Sequence, residues 1–299
     1  MSRRKTQLPL FSFVFIFAAL AAGFLLSKPP ARLGGNISSA DVAVHFIDVG
    51  QGDAELILLP GGKTLLIDAG DNGQEDRLLS HLRSAGVSQI DYLVGTHPHA
   101  DHIGGMQEVV DAFPIGKIFM PKVTHTSKTY LDLLKSIDGK GLSIETAHQG
   151  KLLFDENGVR AEFLAPCQDS YDELNNYSAV LRLTYQNVSF LFTGDAEVLS
   201  ENEMLSAGVH VQATVLKIGH HGSSTSTNPK FLKAVSPVYA VISCGKGNSY
   251  GHPHTQTLKN LKKSGVQVFR TDEMGTIIME TDGKNVNIKK NGDKNVHYD

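Results

Sequence analysis

Three imidazoles and one carboxylate fall within the six residues His97-Pro98-His99-Ala100-Asp101-His102. Neutral imidazole and carboxylate are the nitrogen and oxygen ligands that zinc and related divalent ions accept. A chain that uses such a run as a site must bring a strand end, a loop and a helix start to one point. The flanks fit this: Tyr92 to Gly95 reads as a buried strand, Pro98 keeps the loop extended, and His102 to Phe113 reads as a helix. The competing reading is a solvated surface cluster in a chain with thirteen histidines, and the flanking pattern argues against it.

At 299 residues and 41% hydrophobic, the chain is long enough to bury a large core. Its net charge of −3 provides no basic footprint over the whole surface for tight nucleic-acid binding. Cys167 and Cys244 are too few for a disulfide framework or a sulfur-rich metal site and read as small buried hydrophobes. The N-terminus stands apart. Arg3-Arg4-Lys5 precedes an uncharged apolar run over residues 8–26, long enough to span a bilayer. It reads as a membrane anchor, with a signal peptide cleaved near Ala19-Leu20-Ala21 as the alternative. In either case the rest of the chain is expected outside the cytoplasm, single-pass at the membrane or secreted.

The expected organisation is therefore an anchor or signal over 1–27, a Pro/Gly linker over 28–40, a globular domain over 41–288 and a frayed polar tail over 289–299. Short apolar segments at Ala43 to Ile47, Ala54 to Leu59 and Thr64 to Ile67 read as a sheet meander. Gln74 to Ser84 has helical spacing, as does Ser127 to Ile137 with Leu131, Leu134 and Ile137 on one face. The second half repeats this alternation of strands and outer helices. Two mixed-sheet halves with helices outside predict an α/β fold, a four-layer αββα sandwich with its site along one edge.

Further donors stand at strand ends in that second half. Phe190 to Phe192 runs into Thr193-Gly194-Asp195, and a carboxylate there can bridge two ions or cap the next helix. Val215 to Ile218 runs into Gly219-His220-His221-Gly222-Ser223; adjacent histidines point apart, so one is expected on metal and the other toward substrate. His252, in Tyr250-Gly251-His252-Pro253-His254, is a candidate general acid or phosphate anchor. Asp48, Asp53 and Asp68 also end strands. Their default reading is structural, with Asp68 suited to orienting a metal-bound imidazole.

Taken together, Phe46-to-Asp53, Ile67-to-Gly70, His97-to-Gly105, Thr193-Gly194-Asp195, Leu216-to-Ser223 and Tyr250-to-Pro253 resemble the metallo-β-lactamase superfamily. They are similar to the extracytoplasmic nuclease-like domain of the ComEC competence proteins, in the same order over about residues 43–280. The resemblance implies an αββα fold and a metal-bound hydroxide that attacks an ester-like bond. By position, His97 and His99 would serve one metal and Asp101 and His102 the other, with Asp195 bridging. His220 would be the last histidine ligand. The superfamily usually places another histidine between the cluster and the bridging aspartate. Here that stretch reads Asn175-Asn176-Tyr177-Ser178, and Asn176 and Ser178 are poorer zinc ligands. One or two divalent ions, zinc or manganese, are therefore expected.

The favoured reading is a phosphodiesterase or nuclease acting on nucleic acid, with Asp101, His221 and His252 catalytic and Lys217, Ser223 and Ser224 on phosphate oxygens. A hydrolase of carboxylic esters, thioesters or β-lactams on the same centre is the second reading. A degenerate module that binds metal too weakly to turn over is the third.

Overall fold

The computed structural model describes residues 41–290, so the expected anchor, linker and most of the polar tail lie outside the described residues. Among the described residues, no helix is long and apolar enough to cross a membrane.

Fifteen strands form two sheets among the described residues. One has eight strands in the order β15-β14-β1-β2-β3-β4-β5-β6, and the other seven in the order β13-β12-β11-β10-β9-β8-β7. In the first, β1 (Val42–Phe46), β2 (Glu55–Leu58) and β3 (Thr64–Ile67) form the antiparallel meander. Next come β4 (Ile90–Val94), β5 (Ile115–Met120) and β6 (Ile144–Thr146), all parallel to β3. In the second, β7 (Leu152–Glu156), β8 (Val159–Phe163), β9 (Leu181–Tyr185) and β10 (Val188–Phe192) are antiparallel. The strands β11 (Val215–Lys217), β12 (Tyr239–Ile242) and β13 (Gln267–Arg270) continue parallel to β10.

Alternation along the strands builds three apolar layers. Val44, Phe46, Ile67, Val94, Phe163, Phe190 and Phe192 pack between the sheets. Leu66, Leu93, Leu78, Leu82 and Val109 join the first sheet to its outer helices. Leu191, Leu216, Phe231 and Leu261 do the same for the second. These layers agree with the four-layer expectation, with one change. The last strands, β14 (Ile277–Thr281) and β15 (Val286–Lys290), return to the first sheet, where β14 pairs antiparallel with β1. The sheets are thus not one per half of the chain, and the final strand runs through Lys290.

Two helical expectations are corrected. The segment after the histidine run is two helices, α2 (Ala100–Ile103) and α3 (Met106–Ala112), with α1 (Glu75–Ser84) before them. The break falls at Gly104 and Gly105, which lie against backbone: a Cβ on Gly104 would sit 2.3 Å from the Asn72 nitrogen, and one on Gly105 2.6 Å from the Ala69 oxygen. In α4 (Lys128–Gly139), capped by Ser127, the buried face is Tyr130, Leu133 and Ile137, whereas Leu131 is exposed. The Tyr130 hydroxyl donates to the Val123 carbonyl at 2.8 Å and turns that face inward.

One buried polar pair predicts how the domain responds to acid. His45 Nδ1 lies 3.0 Å from His81 Nε2, so the two rings share one proton. Burial, then the charge of His81, pushes His45 down to about 3. The unfolded chain takes up this proton near pH 6.5, whereas the native state resists it. Stability is therefore fully present above pH 6.5 and lost as pH falls toward 3, by up to about 5 kcal/mol from this residue. Urea unfolding of His45→Leu should show a flatter loss between pH 6.5 and 4 than wild type; parallel profiles would refute the assignment.

Candidate metal centre

Because β3, β4 and β5 run parallel, as do β10, β11 and β12, their carboxyl ends lie along one edge of each sheet. Loops leaving such ends are where α/β sheets place ligands. Asp68 follows β3, the histidine run follows β4, Asp195 follows β10 and His220-His221 follows β11.

Asp195 is the meeting point. Its Oδ1 lies 3.2 Å from His102 Nε2 and 3.6 Å from His221 Nε2. Its Oδ2 lies 3.8 Å from His97 Nε2 and 3.7 Å from His220 Nε2. Each oxygen of one buried carboxylate thus faces two imidazoles from separate loops. Asp101 Oδ2 joins the first group, 3.1 Å from His221 Nε2, and His99 Nδ1 joins the second, 3.0 Å from His97 Nε2.

The far sides of these rings are held. His102 Nδ1 lies 2.7 Å from Asp68 Oδ2, and Asp68 is itself fixed by the Thr96 amide at 2.8 Å and hydroxyl at 2.7 Å. His221 Nδ1 lies 3.0 Å from the Ser243 carbonyl and 3.2 Å from Asp53 Oδ1. The carboxylate and carbonyl acceptors on that side place a hydrogen on each Nδ1, which leaves Nε2 as the inward nitrogen available to an ion. The Ser178 hydroxyl accepts from the Asp195 amide at 3.1 Å. His102 Nε2 and Asp195 Oδ1 are buried with no hydrogen-bond partner despite their proximity. Unpaired polar atoms in a core are costly. This pair, in a set of only nitrogen and oxygen donors, fits a divalent cation.

Two donor groups are compact enough to hold an ion among the described residues: Asp53, His102, Asp195 and His221, and His97, His99 and Asp195. Asp53 is already committed. It takes the Lys217 ammonium at 2.7 Å and stands behind His221 at Nδ1, whereas Asp101 faces the free Nε2. On this geometry Asp101 is the better fourth donor.

Electrostatics agree with a site built for positive charge. Burial opposes ionisation of Asp195, but His102 and His221 outweigh it and hold the carboxyl well below the usual range. Burial likewise works against charge on His102, yet Asp195, Asp68 and Asp101 carry its imidazole well above normal. His97, buried beside His102, is pushed well below. In His252, burial and then His221 lower the imidazole to about 4, so it is neutral at pH 7.

The doublet is split by its backbone. His220 (φ 49°) and His221 (φ 53°) are both left-handed, a conformation that costs a non-glycine residue of order 1–3 kcal/mol. The result is two rings 71° apart on different oxygens of Asp195. His221, expected to be catalytic, therefore stands in the donor cluster, at the place the resemblance gave to His220. The doubled histidine was the available signal, but its direction depends on these dihedrals.

Several expectations are corrected by burial. Lys217 is 1% exposed, locked to Asp53 and to the Ile218 carbonyl at 3.0 Å, so it does not reach a substrate. Ser223 is buried, and Ser224 is exposed but bonded to His254; neither lines the cleft. Asp48 pairs with Arg77 in a separate pocket. Asn176 is buried and accepts from the Ser200 amide. Its neighbour Asn175 instead reaches His220 Nδ1 at 3.3 Å, alongside Thr225 and Glu197. In the stretch 175–178, Asn175 and Ser178 thus position His220 and Asp195. The cleft over the cluster has a volume of about 340 Å³ and adds Gln51, Asp71 and Tyr250, which the sequence did not single out as site residues.

The family model described as the metallo-beta-lactamase superfamily matches residues 47–246. Among curated proteins, the chain is 31% identical to ComE operon protein 3 of Bacillus subtilis (strain 168), over 80% of this chain and 33% of that protein. It is 32% identical to competence protein ComA of Neisseria gonorrhoeae, over 86% and 34% respectively. Recombination protein 2 of Haemophilus influenzae matches at 29%, over 78% and 28%. The chain therefore spans about a third of the length of these relatives. Among solved structures, the metallo-beta-lactamase fold protein YhfI from Bacillus subtilis superposes with a TM-score of 0.51 at 15% identity, covering 81% of this chain and 100% of that one. The metallo hydrolase Igni18 from Ignicoccus hospitalis gives 0.51 at 16%, covering 79% and 98%.

Proposed function

The chain belongs to the metallo-β-lactamase superfamily, and from that premise we propose that it is an extracytoplasmic phosphodiesterase acting on nucleic acid through two divalent ions. The observation that carries this reading is Asp195, with two imidazole nitrogens beside each carboxylate oxygen. In the proposed assignment, His102, His221 and Asp101 join Oδ1 at one ion, and His97, His99 and His220 join Oδ2 at the other. His220 thereby takes the place of the imidazole missing upstream.

When bound, such an ion pair lowers the pKa of water toward neutrality and stabilises both the attacking and the leaving oxygen of a phosphoryl displacement. The chain's own groups do the rest. Asp101, whose carboxyl His102 and His221 hold below the usual range against the effect of burial, stays ionised: Oδ2 would hold the ion, and its other oxygen, Oδ1, orients the attacking water and takes its proton. Asp68 and the Ser243 carbonyl take the Nδ1 hydrogens of His102 and His221, so that Nε2 is the nitrogen each ring would offer to an ion. His252, neutral in the cleft, donates a hydrogen bond to substrate rather than a full positive charge.

The relatives' names, for competence and recombination, favour a nucleic-acid substrate. The cleft lining disfavours β-lactams: it contains no lysine or arginine to anchor their carboxylate. The unpaired His102 Nε2 and Asp195 Oδ1 argue against a module that has lost its metals. The full chain, loaded with manganese or zinc, is expected to hydrolyse bis(p-nitrophenyl) phosphate and linear DNA and to lose both activities to chelation. Turnover of a β-lactam or thioester with none on phosphodiesters would overturn the proposal.

A further inference from the structure

Tyr250 is 64% exposed, unusual for a large aromatic side chain, yet it lines the cleft over the metal cluster. Its ring lies near-parallel to His252, 18° between planes and 5.7 Å between centroids; His252 is 6.1 Å from His221. One face of the tyrosine is thus backed by an imidazole and the ring stands two short steps from the cluster.

The loop that carries it is braced by hydrogen bonds. Asn248 Oδ1 accepts from the amides of Tyr250 at 3.2 Å and His252 at 3.0 Å, and its Nδ2 donates to the His252 carbonyl at 2.6 Å. The loop is also tied to the one bearing His220 and His221: the His254 amide donates to the Gly222 carbonyl at 3.0 Å, and the Ser224 amide to His254 Nδ1 at 3.0 Å. A loosely solvated tyrosine would need none of this bracing. Among the described residues lining the cleft, none is a lysine or arginine, so ion pairs from such side chains to phosphate do not supply the grip.

We propose that Tyr250 is a stacking platform for an unpaired base, and that the substrate is single-stranded nucleic acid with one base laid on this ring beside the scissile phosphodiester. The assignment rests on the phosphodiesterase reading above. An aromatic platform accepts any base, because every base has a π face, whereas bases paired and stacked within a duplex cannot reach it.

The test uses the full, metal-loaded chain, short single-stranded DNA and RNA oligonucleotides, the same strands with abasic sites, and a blunt duplex. Binding is read separately on chelated protein, from quenching of a 2-aminopurine base. Tyr250→Ala is expected to weaken single-strand binding and raise KM about 5- to 100-fold, and Tyr250→Phe to retain both. The difference between wild type and Tyr250→Ala should vanish on abasic strands. The DNA and RNA arms identify the sugar. Equal losses on abasic strands, no loss at all, or a duplex bound as tightly as a single strand would each overturn the platform. If bis(p-nitrophenyl) phosphate is cleaved in those cases, the phosphodiesterase reading survives. If wild type cleaves neither it nor any oligonucleotide, that reading fails and the platform with it.

Discussion

Replacing Asp195 with Asn is expected to reduce bound metal from two ions per chain to at most one and to lower phosphodiesterase turnover by about 10³-fold or more. The size follows from its position: both oxygens are engaged, one between His102 and His221, the other between His97 and His220. An amide of the same shape has one oxygen and no charge, so it cannot serve both. His220→Ala is the informative contrast. It leaves the Oδ1 group intact, so one ion should remain and the second should be lost. Elemental analysis of both variants reads the stoichiometry directly, with thermal unfolding of the chelated proteins as a control for folding. Two ions retained in Asp195→Asn, with turnover within tenfold of wild type, would remove the bridging role.

Lys217→Met should be the most damaging single change away from the proposed metal ligands. The ammonium and Asp53 are each 1% exposed and 2.7 Å apart. Glu55 next to them is buried; burial and the charge of Asp53 push its carboxyl well above normal. Removing the lysine leaves the buried Asp53 carboxylate with His221 Nδ1 alone, at 3.2 Å, which costs up to about 3–5 kcal/mol and lowers Tm by up to roughly 6–20 °C in a domain of this size. Replacing both partners with apolar side chains, as in Lys217→Met with Asp53→Leu, should restore most of that stability. It should not restore function. Asp53 also stands at His221 Nδ1, and loss of such a support typically weakens metal affinity about 10- to 100-fold. A Lys217→Met protein within about 1 kcal/mol of wild type by urea unfolding would contradict the buried-pair account.

Much of the architecture was legible because it is written in local periodicity. Thr64–Ile67 has the bounds expected from its apolar spacing, and Val42–Phe46 lies one residue from the expected 43–47. Val286–Lys290 was read as domain end and polar tail because its sequence, Val-Asn-Ile-Lys-Lys, is mostly polar; pairing with Ile277–Thr281 makes it a strand. The helix over 102–113 was read as continuous because glycine periodicity does not reveal that the Asn72 backbone lies against Gly104.

The sequence by itself determined the inventory of donors and their attachment to strand ends, since His97 to His102 are contiguous and Asp195 and the His220-His221 pair each close an apolar run. Only the tertiary structure decided what each donor faces. Parallel pairing aligns the carboxyl ends of β3, β4 and β5 in one sheet and of β10, β11 and β12 in the other, left-handed dihedrals send His220 and His221 to opposite oxygens of Asp195, and burial draws Lys217 onto Asp53 and away from the cleft. Composition reports which atoms are available to bind a cation. Side-chain direction is set by backbone torsions and by contacts with residues far away in the chain, and neither leaves a periodic trace in the sequence.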